Sequence, residues 1–176
     1  MGSLTKEQIT HLRSRHFVNV SWQELKIEQD EILRSTILST VQNKLVHRLS
    51  VEGLQGEAKA DSDECRQAAR AFARPVVHAL FPTDTHAQNN WSLFAVNYYQ
   101  QDTLNPPHRD KNNPDISTTA ILSLTGVRIL RVEGEATRLH PGTITLLDGG
   151  YNPLHSAYCV DGPSISVVAD IPQLLY

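Results

Sequence analysis

His108-Arg109-Asp110, followed near the C-terminus by His155, is the set of residues whose types and spacing point to chemistry. Two imidazoles and one carboxylate can occupy one face of an octahedral Fe(II) ion, leaving three positions for oxygen and an organic co-substrate. A structural zinc site would want four ligands, usually thiolates. An H-x-D triplet alone is weak, because about 0.2 would arise by chance in a chain of this length. Its weight depends on what surrounds it. His155 is the favoured third ligand. His140 is its competitor, but it precedes Pro141-Gly142 in what reads as a solvent-facing turn.

The surroundings read as short strands. Trp91–Tyr99 has a strand pattern, and Gln100–Pro107 reads as a loop delivering the chain to His108. Asp115–Leu124 is β-branched, Gly126 breaks the run, and Val127–Val132 reads as the next strand. Ala136–Leu139, Thr143–Leu147, Leu154–Val160 and Ser164–Ile171 follow, separated by turns rich in Gly, Pro and Asp. Such spacing argues for an antiparallel sandwich or barrel. Side chains alternate along a strand, so His108 and Asp110 share one side while Arg109 points away. His155 joins them only if its strand crosses the same mouth.

Upstream, about the first 75 residues carry helical periodicity. Leu4–Arg13 reads as a short helix before a strand at Phe17–Val20. Ser21 and Glu24 fit a capping box, and apolar residues from Leu25 to Val46 recur at helical intervals behind it. An N-cap at Asp61 or Ser62 opens a segment through Ala73, with Pro75 as its stop. These helices are assigned no chemistry. The expected organisation is one domain over 1–176, with helical support in 1–75 and a β core in 91–172.

Composition sets outer bounds. The chain has 176 residues, 40% of them hydrophobic and 20% charged, which suits one well-formed core. A net charge of −3 gives no reason to expect general attraction to a nucleic-acid backbone. The N-terminus has no apolar signal region and no run approaches a membrane span, so the expectation is a cytoplasmic protein without a membrane partner. Cys65 and Cys159 read as free thiols. Nothing indicates an oligomeric state.

On these motifs the chain resembles the double-stranded β-helix family of Fe(II)- and 2-oxoglutarate-dependent oxygenases, over roughly Trp91 to Pro172. The order matches: helices first, H-x-D after the second core strand, a distal histidine on the seventh, one closing strand. Asn97-Tyr98-Tyr99 followed by eight residues and His108-Arg109-Asp110 looks like the N-x-Y-x8-H-x-D motif of AlkB-type members. That likeness implies 2-oxoglutarate binding by Asn97 and Tyr99. The His108–Asn113 stretch is also similar to Tet- and base-J-type nucleobase oxygenases. The implied fold is α+β, a jelly-roll or cupin-like barrel with supporting N-terminal helices. The implied cofactors are Fe(II), 2-oxoglutarate as co-substrate, and O2.

The closing strand departs from the family pattern. Many members follow the distal histidine with an arginine that clamps the far carboxylate of 2-oxoglutarate, whereas no Arg or Lys follows His155 here. Ser164 offers one hydroxyl at that place. Members resembling the JmjC and asparaginyl hydroxylases use a basic residue on the fourth core strand, and Arg128 sits there. Arg131, three residues on, falls on the opposite face. Arg109, Asn112, Asn113 and Tyr151 lie near the expected mouth as substrate contacts. The expected activity is oxidation of a small molecule, with nucleic acid disfavoured. The alternatives are a modified nucleobase, a peptide side chain, or a catalytically silent β-barrel binding module.

Overall fold

The computed structural model describes residues 4–51, 57–59, 62–110 and 118–172. Among the described residues, four helices, α1 (Lys6–Arg15), α2 (Glu31–Val51), α3 (Asp63–Leu80) and α4 (Thr85–Asn90), accompany eight strands. The strands are β1 (Phe17–Ser21), β2 (Glu57–Lys59), β3 (Ser92–Tyr99), β4 (Leu104–His108), β5 (Thr118–Val132), β6 (Glu135–Leu139), β7 (Thr143–Asp148) and β8 (His155–Ile171). All strand pairs are antiparallel.

The expected closed jelly-roll barrel is not what these strands form. Hydrogen bonding follows one open path, β1-β7-β5-β8-β3-β2, with β4 attached to β8 and β6 attached to β5. The path ends at β1 and β2, which do not pair with each other. The difference arises where the sequence reads as broken. Gly126 was expected to separate two strands, and Asp161-Gly162-Pro163 two more; the structure runs straight through both, making β5 and β8 the two longest strands. The apparent breaks lie opposite each other, at a shift in the β5–β8 register. Gly126 has φ of 66°, and a Cβ there would sit 2.6 Å from the Asp161 carbonyl and 2.7 Å from that of Pro163. Only glycine fits so close an approach. Beside it Thr125 Oγ1 donates to the Pro163 carbonyl at 3.0 Å and accepts from the Ile165 N–H at 3.2 Å, so the irregular ladder keeps its polar groups partnered.

The alternation of β5 and β8 then divides the molecule. Ala120, Leu122, Leu124, Ile165, Val167, Ala169 and Ile171 form one apolar face, packed with Ile144 and Leu146 of β7 against Phe72, Val76 and Val77 of α3. The opposite face carries Thr119, Ile121, Ser166, Val168 and Asp170 and looks into a cavity. The first halves of β8 and second half of β5, with β4 and β6, line that same cavity from its other side. A smaller apolar cluster of Phe17, Leu130, Val132, Leu139, Leu147 and Ala157 joins the two halves.

Helical support is present, with different bounds. The Ser21–Glu24 capping box forms, Glu24 N–H to Ser21 Oγ at 3.2 Å and Ser21 N–H to Glu24 Oε2 at 2.7 Å. It caps only one turn, because Lys26 takes φ of 55°. The long helix begins later, at the cap supplied by Asp30 Oδ1 to the N–H groups of Ile32 and Leu33. α3 continues to Leu80 through Pro75, the residue expected to end it. Loss of one backbone bond at the proline is outweighed by the buried Val76, Val77 and Leu80, each contributing about 1.5–3 kcal/mol.

Candidate active site

β4 (Leu104–His108) lies mostly within Gln100–Pro107, the segment expected to be a loop. It is a strand, paired to β8 with a register shift between Asn105 and His108, the kind of irregular position that tolerates proline. This pairing sets His108 directly across from His155, with ring centroids 4.4 Å apart. His108 Nδ1 lies 2.8 Å from the Pro106 carbonyl and His155 Nδ1 lies 3.0 Å from that of Pro153. A carbonyl can only accept, so each Nδ1 donates, which leaves Nε2 as the ring atom available to a metal. Partners of this kind fix the tautomer of metal-binding histidines. The P-x-H spacing is the same at both, Pro106-x-His108 and Pro153-x-His155, a signal present in the sequence.

Asp110 faces both rings. Its Oδ1 is 3.8 Å from His108 Nε2 and its Oδ2 is 3.8 Å from His155 Nε2. These separations are too long for hydrogen bonds and leave space for a shared ion. The three donor atoms lie within 4.8 Å of one another, the one such group among the described residues. Two neutral imidazoles and one carboxylate suit a mid-row divalent metal with open positions. His140 is exposed at the end of β6 and takes no part.

Asn152 holds the H-x-D segment in place. Its Nδ2 donates to the Asp110 carbonyl at 3.0 Å, and its own carbonyl accepts from Arg109 Nη1. Arg109 Nη2 also pairs with Glu133 at 3.2 Å, while its guanidinium lies 5.8 Å from the Tyr151 ring centroid. Tyr151 is exposed and stacks on His16 at 3.6 Å. Arg109 lines the cavity. Asn112 and Asn113, expected near the mouth, lie outside the described residues.

Behind the triad is a cavity of about 870 Å³. Arg128 projects into its wall, only 4% exposed, with its guanidinium 5.0 Å from the Tyr99 ring centroid. Arg131 is exposed on the other face. Tyr99 is buried and its hydroxyl accepts from Asn105 Nδ2 at 3.4 Å. Asn97 is opposite Ser166, which is opposite Ser123, so the three form one polar row across β3, β8 and β5. Asn97 Oδ1, Ser166 Oγ and Ser123 Oγ are buried without hydrogen-bond partners. Such groups normally find partners. Ser166 Oγ can donate to an anion beside the cation of Arg128, both on the cavity wall; Asn97 Oδ1 can only accept, and Ser123 does not line the cavity. Ser164, the hydroxyl expected there from sequence, is buried opposite Tyr99, whereas Ser166 lines the cavity.

Sequence reasoning passed over Asp170. It stands in the closing strand Ile165–Ile171, where an acidic residue among Ile, Val and Ala was the available signal. It is 7% exposed and lines the cavity, with Thr119 Oγ1 donating to its Oδ1 at 3.0 Å. Burial pushes its carboxyl up to about 6; the Thr119 bond works against this and the charge of Asp110 adds to it. An unfolded aspartate titrates near about 3.9, so the folded protein binds this proton more tightly than the unfolded chain. The associated stability is full below about pH 4 and is lost as pH rises through about 6. Asp170→Asn therefore stabilises the metal-free protein at pH 7.5 by on the order of 2 kcal/mol and leaves it nearly unchanged at pH 4. Denaturant titrations at the two pH values measure this; a loss at pH 7.5 contradicts it.

No family model and no curated protein matches the sequence. Solved structures match in fold. A prolyl hydroxylase from Trichoplax adhaerens, in complex with a hypoxia inducible factor peptide fragment, is 14% identical; the match covers 93% of this chain and 86% of that one, with a TM-score of 0.61. SnoN, a non-heme alpha-ketoglutarate-dependent epimerase of nogalamycin biosynthesis, is 15% identical over 94% and 81%, with a TM-score of 0.56. An oxidoreductase of the 2OG-Fe(II) oxygenase family from Burkholderia pseudomallei is 12% identical over 97% and 93%, with a TM-score of 0.52. At these identities the likeness is one of fold. No helix among the described residues is long and apolar enough to cross a membrane. The shared fold and the His108/Asp110/His155 group together support the 2-oxoglutarate–Fe(II) oxygenase superfamily, and no particular branch of it.

Proposed function

We propose that this chain is a non-haem Fe(II)- and 2-oxoglutarate-dependent dioxygenase that oxidises a small organic molecule. The observation that carries the reading is one cavity with the two-histidine, one-carboxylate group at one place on its wall and buried Arg128 at another. His108 and His155 would hold the ion through Nε2 and Asp110 through a carboxylate oxygen. Arg128, backed by Tyr99, would receive the far carboxylate of the 2-oxoacid, with Asn97 and Ser166 completing its hydrogen bonds and Ser164 beside them. When bound, iron and 2-oxoglutarate supply the oxidising power, O2 being consumed and succinate and carbon dioxide released as one oxygen atom enters the substrate. The protein places the reactants and excludes bulk water with the apolar wall of Ile121, Leu130 and Val168.

A small substrate suits the charge of the site. Among the described residues lining the cavity, Arg109 and Arg128 are the only Arg or Lys, and Arg109 is already paired with Glu133. Phosphate-backbone binding requires several free cations on one face. The iron-loaded protein is expected to release no additional succinate with methylated single- or double-stranded oligonucleotides. It is expected to do so with members of a fractionated metabolite extract. Oxidised bases accompanied by succinate in the oligonucleotide arm would reverse this assignment.

A further inference from the structure

The wall opposite the inner arginine carries a carboxylate that the proposed metal and co-substrate sites do not use. Asp170 receives Thr119 on Oδ1, while Oδ2 has no donor among the described residues. It belongs to no ion pair there. Its neighbour across β3 is Ser92, and the register of β3 slips between Leu93 and Ala95. Phe94 falls at that irregularity, half exposed and on the cavity wall. An aromatic face and a carboxylate on one wall make an environment for an organic cation.

The charge balance agrees. Among the described residues, the charged or ionisable groups lining the cavity are His108, Arg109, Asp110, Arg128, His155 and Asp170, with the neutral phenol of Tyr99 beside them. Glu133 offsets Arg109. On the reading above, a divalent ion and Arg128 offset Asp110 and the two carboxylates of the 2-oxoacid. The negative charge left over is that of Asp170. Burying an uncompensated carboxylate is costly, and proteins retain such costs where a ligand uses them.

We propose that Asp170, braced by Thr119 and flanked by Phe94, is the substrate-recognition site and selects a small alkylammonium or guanidinium compound. This rests on the oxygenase reading for what happens to the cation, but the recognition itself needs no metal.

The test uses the full chain, metal-free and Mn(II)-loaded, with four matched probes, butylammonium, butylguanidinium, butanol and butyrate, and with a blocked lysine peptide as a fifth. Saturation-transfer NMR reads their binding. The two cations are expected to bind about tenfold or more tightly than the alcohol and the carboxylate, the worth of one charge-assisted hydrogen bond. Asp170→Asn, which keeps the shape and the bond from Thr119, is expected to erase that preference. Equal binding of all four probes, a preference that survives Asp170→Asn, or binding of a blocked lysine peptide with none of the free cations would overturn the proposal. Manganese uptake is followed separately by its EPR signal. No uptake together with intact cation preference would count against the oxygenase reading and support the recognition site.

Discussion

His155→Ala is expected to bind no stoichiometric Fe(II). The two remaining donors, His108 Nε2 and one oxygen of Asp110, are too few strong bonds for a labile divalent ion. Losing an outer-shell partner costs roughly 10–100-fold in metal affinity, and losing a ligand should exceed that. His140→Ala is the internal control, because His140 is exposed and apart from the group. Iron content after anaerobic reconstitution and desalting separates the two. Full iron in His155→Ala, or loss of iron in His140→Ala, contradicts the assignment. A smaller loss is expected in Asn152→Ala, since Asn152 braces the Asp110 backbone without presenting a donor to the ion.

Arg128→Ala should weaken 2-oxoglutarate binding by about 2–5 kcal/mol, as expected for truncating one partner of a buried charge pair. The guanidinium is buried on the cavity wall over Tyr99, and among the described lining residues the other guanidinium, Arg109, is paired with Glu133. Arg131→Ala should change little, because its side chain is solvent-exposed. Isothermal titration of the Mn(II)-loaded variants measures both. Equal losses at the two positions, or none at either, would remove Arg128 from the co-substrate site.

The chemistry of the site was more legible than the architecture that builds it. H-x-D followed by a distant histidine reads directly from residue types; the alternation expected to put His108 and Asp110 on one side does not apply, because β4 ends at His108 and Asp110 lies beyond it. Three residues of separation divided Arg128 from Arg131, one now buried and the other exposed. Architecture misled where local signals and long-range pairing disagree. Gly126 and Asp161-Gly162-Pro163 look like ends of strands, but each is the accommodation the other requires, and a single chain segment cannot reveal its partner. The two prolines of β4 concealed the strand that sets His108 opposite His155. Pro75 looked like a helix stop because the packing of Val76, Val77 and Leu80 is a tertiary fact. Asp170 was hidden because the second half of β8, from Ser164 to Ile171, is buried on both faces, which removes the alternation that would have marked an inward-facing charge.

The most direct measurement of the central claim is an anaerobic titration of the Fe(II)-loaded protein with 2-oxoglutarate, monitored by visible absorption. A 2-oxoacid chelated to iron held by two histidines and one carboxylate gives a metal-to-ligand charge-transfer band. The account predicts that this band grows to saturation at one equivalent per chain, and that it demands far more 2-oxoglutarate in Arg128→Ala and is absent from His155→Ala. Stoichiometric iron with no band at saturating 2-oxoglutarate would contradict it.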